Sequence, residues 1–187
     1  MALQFVSPSA EIGSRYQQSL LDFFGPRDRE VTLFHLPVGT LGLADLQRGA
    51  TLDQVVDSGC RFLAQWPDGT WTSCEMTNPG LYGQAELRNF ESGGQVALAF
   101  ARISAAQQLD AVQTGDFELH LLSIPGIFFE GLHLVSKNQG IDLVLPVVSP
   151  HDEIPAGAVL DAATFLAAAR SIAKVRVAYA AVDDLSS

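Results

Sequence analysis

Asp116-Phe117-Glu118-Leu119-His120-Leu121-Leu122-Ser123-Ile124-Pro125-Gly126-Ile127-Phe128-Phe129-Glu130-Gly131-Leu132-His133-Leu134-Val135 is the stretch on which the fold turns. Apolar residues recur at every second position in two runs, Phe117 to Ile124 and Ile127 to Val135, broken by Pro125-Gly126. A third run, Ile141 to Val148, follows after Lys137-Asn138-Gln139-Gly140. Period-two alternation is the signature of a strand, and links this short join only antiparallel neighbours. The stretch therefore predicts a three-strand meander.

With Pro125-Gly126 and Asn138-Gln139 each at the centre of a tight turn, pairing sets His133 opposite Glu118 and Gly131 opposite His120. One face then carries Glu118, His120, Leu122, Phe129, Gly131, His133, Val135, Asp142, Val144 and Pro146. The other carries Phe117, Leu119, Leu121, Phe128, Leu132, Leu134, Leu143, Leu145 and Val147, with Glu130 as its one misfit. Two readings of the polar face compete. Two imidazoles and two carboxylates around a glycine gap can form a shallow pocket that binds a small molecule or cation, or exchanges protons near neutral pH. Equally, one face of an antiparallel sheet is commonly just solvated. The assignment depends on register, because a one-residue slip sends the histidines to different faces, and Pro-Gly is a poor two-residue hairpin turn. Glu130 has two readings as well: a buried general acid or base with a raised pKa, or a strand-end residue that reaches solvent.

Upstream, Cys60 to Trp66, Pro67-Asp68-Gly69 and Thr70 to Met76 read as a β-hairpin. Ser7-Pro8 reads as a helix start, with Ile12, Tyr16 and Leu20 recurring every four residues up to Gly25. Val31 to Leu36 is a β-rich run that Pro37 stops; the glycine pairs around Gly39-Gly42 and Gly80-Gly83 read as turns, with a helical turn over Leu43–Gln47. Gln95 to Val112 suits a helix. Asp161 is a good N-cap for a helix whose Phe165, Ala169 and Ile172 share a face, and Val175, Val177 and Tyr179 leave open whether it continues or gives way to an edge strand. The expected fold is a single α+β domain over residues 1–187: an antiparallel sheet, hairpin plus three-strand meander, covered by about three helices.

With 48% hydrophobic and 17% charged residues, a 187-residue chain can bury enough apolar surface to fold without disulfides or metals. Its net charge of −10 repels phosphate backbones and anionic lipid, and only Lys137 and Lys174 supply ammonium groups, so neither nucleic acid nor membrane is expected as a partner. The first residues have no basic region ahead of an apolar core, the expectation being a cytoplasmic protein. Abundant alanine and an excess of arginine over lysine fit a bacterial source. Cys60 and Cys74 match no zinc-ligand spacing and are expected to be reduced, buried thiols.

No Gly-x-Ser-x-Gly, His-Glu-x-x-His, Cys-x-x-Cys or phosphate-loop pattern occurs, which lowers the expectation of an enzyme and points to no cofactor or metal. His151-Asp152-Glu153 reads as an exposed loop, adjacent side chains being unable to converge on one ion. Trp66 and Trp71 flank the hairpin tip and, with Phe129, are either an association surface or the edge of the core. The first expectation is thus a non-enzymatic binding or assembly domain acting on another protein or on its own copy, a homodimer included. The alternative is a small-molecule or metal-binding protein, enzymes among them, using Glu118, His120, His133 and Asp142.

Overall fold

The computed structural model describes residues 3–24, 32–138 and 140–183. Its elements are β1 (Gln4–Phe5), α1 (Ala10–Phe24), β2 (Thr32–Thr40), α2 (Leu43–Gln47), β3 (Val56–Gln65), β4 (Trp71–Thr77), α3 (Pro79–Tyr82), β5 (Leu87–Ser92), α4 (Gly94–Gln107), α5 (Asp110–Thr114), β6 (Phe117–Ile124), β7 (Phe129–Ser136), β8 (Leu143–Val148), β9 (Leu160–Asp161) and α6 (Ala162–Asp183). The α+β class is as expected, but hairpin and meander are not separate pieces. All nine strands described form one sheet, in the order β5-β4-β3-β2-β6-β7-β8-β9, with β1 alongside β6.

Two antiparallel meanders, β2 to β5 and β6 to β9, meet at a parallel pair in which Val38, Gly39 and Thr40 lie beside Leu121, Leu122 and Ser123. That pair is the part local pattern could not reveal, since the crossover from β2 to β6 runs through the whole first meander and α4. Pro37 does not stop β2: it pairs with Cys60 inside the strand. Pairing with β6 begins only at Val38, so the missing proline N–H costs no ladder bond on that side.

The hairpin forms as its residues dictate. Trp66 N–H donates to the Thr70 carbonyl, and Gly69, at φ 83, donates to the Trp66 carbonyl at 2.9 Å. In the second meander the register differs from the expected one by two residues. His120 is opposite His133, Leu122 opposite Gly131 and Ile124 opposite Phe129. The physical reason is the turn: Pro125–Ile127 wind into a 3₁₀ turn and Phe128 takes the left-handed conformation at φ 52, so four residues connect the strands where two were expected. Because the shift is even, no strand side chain changes face. Phe128 itself leaves the apolar face for solvent, 60% exposed, with the Arg176 guanidinium 4.3 Å above its ring.

Ser9, not Ser7, accepts the first-turn N–H of α1, from Ile12. The helix expected over 95–112 breaks into α4 and α5. Asp161 caps α6 through Thr164 N–H at 2.9 Å, and α6 runs on as helix to Asp183. Gly25, Val31 and Gln139 lie outside the described residues.

Coverage of the two faces differs. On one, α4 packs across the middle, touching β4, β5 and β8, over a core that includes Leu36, Leu63, Leu119, Leu121, Leu132 and Leu134. On the other, α1 packs on β4 and β5, with Tyr16 stacked on Phe62 at 3.9 Å, and α6 packs on β8 and β9, with Phe165, Ala169 and Ile172 against Leu122, Ile124 and Phe129. The helices on this second face are at its two ends. What lies between them is the central strands.

The aromatic residues offered as an association surface belong to these cores. Trp66 is buried with its Nε1–H on Thr72 Oγ1 at 3.0 Å, Trp71 stacks on Phe100 at 4.1 Å, and Phe129 is buried against Phe165 at 4.8 Å. Among the described residues, no helix is long and apolar enough to cross a membrane.

Candidate functional site

Between α1 and α6 a cleft of about 640 Å³ opens over the central strands. Its floor is Pro37 to Gly39 of β2, Gly59 and Cys60 of β3, His120 to Leu122 of β6, and His133 and Val135 of β7. Val6 to Ser9, Ile12, Asn78 and the stretch around Leu52 to Asp57 form its walls. A bulge between Val38 and Gly39 bends β2 here. Gly59 is opposite the bulge, and a Cβ there would come within 2.0 Å of the Met76 carbonyl oxygen, so no larger residue fits.

The polar end of the cleft is lined by three of the four residues singled out from sequence, His120, His133 and Asp142, while Glu118 is beside His120 but outside the lining. His120 and His133 are cross-strand partners with ring centroids 6.3 Å apart. Asp142, just ahead of β8, accepts from His133 Nε2–H at 2.9 Å and from the Ser136 N–H at 3.0 Å, which fixes the imidazole from behind. The His133 bond comes first among the causes that hold the Asp142 carboxyl below its ordinary pKa, ahead of burial, which opposes it. Glu118 is salt-bridged by Lys137 at 2.7 Å, the main reason its own pKa is lowered.

His120 is less well provided for. Its Nε2 is buried without a hydrogen-bond partner, and the nearest carboxylate oxygen, on Glu118, is 3.7 Å away. Burial, and next the neighbouring His133, lower its pKa, so it is neutral at physiological pH. The polar face is therefore not a plain solvated sheet surface. It is a half-covered recess whose buried imidazole nitrogen has nothing to bond.

Sequence reading missed Asp53, Asp57, Asn78 and the Val6–Ser9 segment, which reach the same cleft from elements far apart along the chain. The available signal was glycine inside β-rich runs, at Gly39 and Gly59, which marks a bulge or a close backbone approach rather than the turn read at Gly39. Cys60 is on the cleft floor, but burial pushes its thiol up to about 12, leaving no thiolate to act as a nucleophile. Among the described residues, no three His, Cys, Asp or Glu side chains converge as a metal-binding group.

Glu130 is not a lone buried acid. Its Oε1 meets Arg61 Nη1 at 2.6 Å, while Arg61 Nη2 meets Glu75 Oε2 at 2.7 Å. Burial disfavours the guanidinium charge, but the two carboxylates outweigh burial and raise its pKa. His151 is less exposed than a free loop: its Nε2–H donates to the Ile127 carbonyl at 2.7 Å, tying the connection after β8 to the β6–β7 turn.

A comparison with family models, with curated proteins and with solved structures found no match.

Proposed function

We propose that the chain is a small-molecule-binding protein whose ligand occupies the cleft between α1 and α6. One observation carries this reading: His120 Nε2 is buried and unpartnered within a recess of about 640 Å³. His35 Nε2, Arg102 Nε and Arg170 Nε are also buried without a partner, but of these four residues His120 is the one that lines the cleft, and an unpartnered buried atom there is costly unless a ligand meets it. The volume is in the range of sites for drug-sized molecules, and the lining follows the usual division, with Ile12, Leu52, Val55, Leu122 and Val135 for an apolar body and His120, His133 and Asp142 at one end. Self-association through Trp66, Trp71 and Phe129 has no comparable support, since their rings pack on residues of the same chain.

Titration with Nile red, a neutral dye that brightens when desolvated, tests the proposal. One dye per chain is expected, lost when Val135→Trp fills the cleft while the melting temperature holds. Equal binding to the wild type and to Val135→Trp overturns it.

A further inference from the structure

The cleft has a charge as well as a shape. Among the described residues, its lining contains the carboxylates of Asp53, Asp57 and Asp142 and no lysine or arginine. The ammonium of Lys137 is tied to Glu118 at 2.7 Å and to Gln4 Oε1 at 3.0 Å. Of the two imidazoles, His133 is engaged by Asp142 through Nε2, and His120 Nε2 is buried without a hydrogen-bond partner. An anionic ligand entering this site would lose its hydration shell to face three negative groups. A cation would gain from all three.

Their spread argues further about the kind of cation. The carboxylates do not converge as a metal site does. Asp57 is on β3, at the wall, and Asp142 is beside β8, at the polar end; Asp53 is farther out, next to Thr51. Charges spread along a recess that is otherwise apolar suit a molecule with an apolar body and a single positive head. The acceptors left over favour a head that donates hydrogen bonds. Asp57 uses Oδ1 for the Gly59 N–H at 3.2 Å, and each Asp142 oxygen, already bonded once, keeps a second lone pair. A quaternary ammonium could use none of these; a protonated amine uses them all.

We infer that the ligand class of the cleft is a protonated primary amine on an apolar body, its ammonium seated among Asp57, Asp142 and the His120–His133 pair. This rests on the cleft being the binding site, and the test separates the two claims. Three probes share one body: 2-phenylethylamine, 2-phenylethanol and phenylacetate. Each is titrated calorimetrically at pH 7.5 and low salt into the full chain, into Asp57→Asn, Asp142→Asn and Val135→Trp. The amine is expected to bind at least tenfold more tightly than the alcohol, with no detectable binding of the acid. Asp57→Asn, which keeps the acceptor of the Gly59 N–H, and Asp142→Asn should each weaken the amine several-fold and leave the alcohol unchanged.

Alcohol or phenylacetate binding as tightly as the amine, lost in Val135→Trp, overturns the amine class and leaves the cleft standing. Amine binding that survives Val135→Trp places the amine elsewhere and overturns the inference. If none of the three binds and Nile red does not bind either, the cleft reading itself falls. Should Asp142→Asn unfold the chain, Asp57→Asn, at an exposed position, still decides the matter.

Discussion

The sheet carries an ionic cluster on each face, and the two are built in opposite ways. On the side covered by α4, Arg61 spends its two terminal nitrogens on Glu75 and Glu130, and Arg88 approaches Glu75 at 3.7 Å. Side chains of Arg61 and Glu75 are 12% and 11% exposed. That cluster is closed: opposite charges meet and both ends of the fork are matched. On the other side, His120, His133 and Asp142 lie along one end of a cleft with Glu118 beside them; His133 is paired with Asp142 and Glu118 with Lys137, while a buried nitrogen of His120 is unpartnered. Similar residues thus serve two ends. A cluster that satisfies itself holds strands together, whereas one left short of partners has capacity for something that is not part of the chain.

The largest effect expected from breaking this contrast is on the closed side. Arg61→Met keeps an apolar stem but takes the paired cation from Glu130 and leaves Glu75 only the more distant Arg88, at 3.7 Å. Removing one member of a buried ion cluster costs about 3–5 kcal/mol. For a chain of this size that is a fall in melting temperature of about 10 °C, measurable by calorimetry. Binding of 2-phenylethylamine should stay within a factor of two at a temperature where the variant is folded. Glu130→Gln is milder, because an amide oxygen still accepts from Arg61 and Glu75 still balances its charge; about 1–2 kcal/mol is expected from urea unfolding, the scale of one charged hydrogen bond. The open side should show the reverse. Asp142→Asn is expected to cost about 1 kcal/mol or less in the same urea assay, since asparagine can still accept from Ser136, while its amine affinity falls. A large stability loss in Asp142→Asn with amine binding intact would erase the contrast.

The contrast also shows what a sequence can carry. Face assignment in the second meander was legible because it depends only on parity. Pro125-Gly126 promised a two-residue turn and the chain makes a four-residue one, yet His120 and His133 still share a face, now directly opposite each other. Cap chemistry was legible at Asp161, and the hairpin at Pro67-Asp68-Gly69, because each needs only a few adjacent residues. What stayed hidden is non-local. The parallel pairing of β2 with β6 joins residues 38–40 to 121–123, and no periodicity records it. Without that pair there is no cleft, and Asp57 has no reason to be grouped with Asp142. The partner of Glu130 was equally invisible: Arg61 is 69 positions away, so the carboxylate read as a rule-breaker until the fold brought its cation to it.

The smallest expected effect concerns His120 and sharpens the comparison most finely. Burial lowers its pKa in the folded chain, so the unfolded chain takes up the proton first as the pH drops. Stability from this group is therefore fully present above about 6.5, the ordinary histidine value, and is lost as the pH falls from there toward the lowered folded value. Asp142, also depressed, loses its contribution in a separate and more acidic window, below the ordinary aspartate pKa. Chemical unfolding at a series of pH values should show both slopes in the wild type. His120→Gln should make the first shallower, leaving the share that His35 contributes, and leave the second, and saturating 2-phenylethylamine should steepen the first, because an ammonium seated beside His120 makes its protonation harder still. A first slope undiminished in His120→Gln would assign it wholly to another histidine. His35 is the natural alternative, since burial lowers its pKa too, and it is outside the residues that line the cleft. In that case the amine would leave the slope unchanged, and the unpartnered nitrogen of His120 would be a packing cost of the fold rather than a place kept for a ligand.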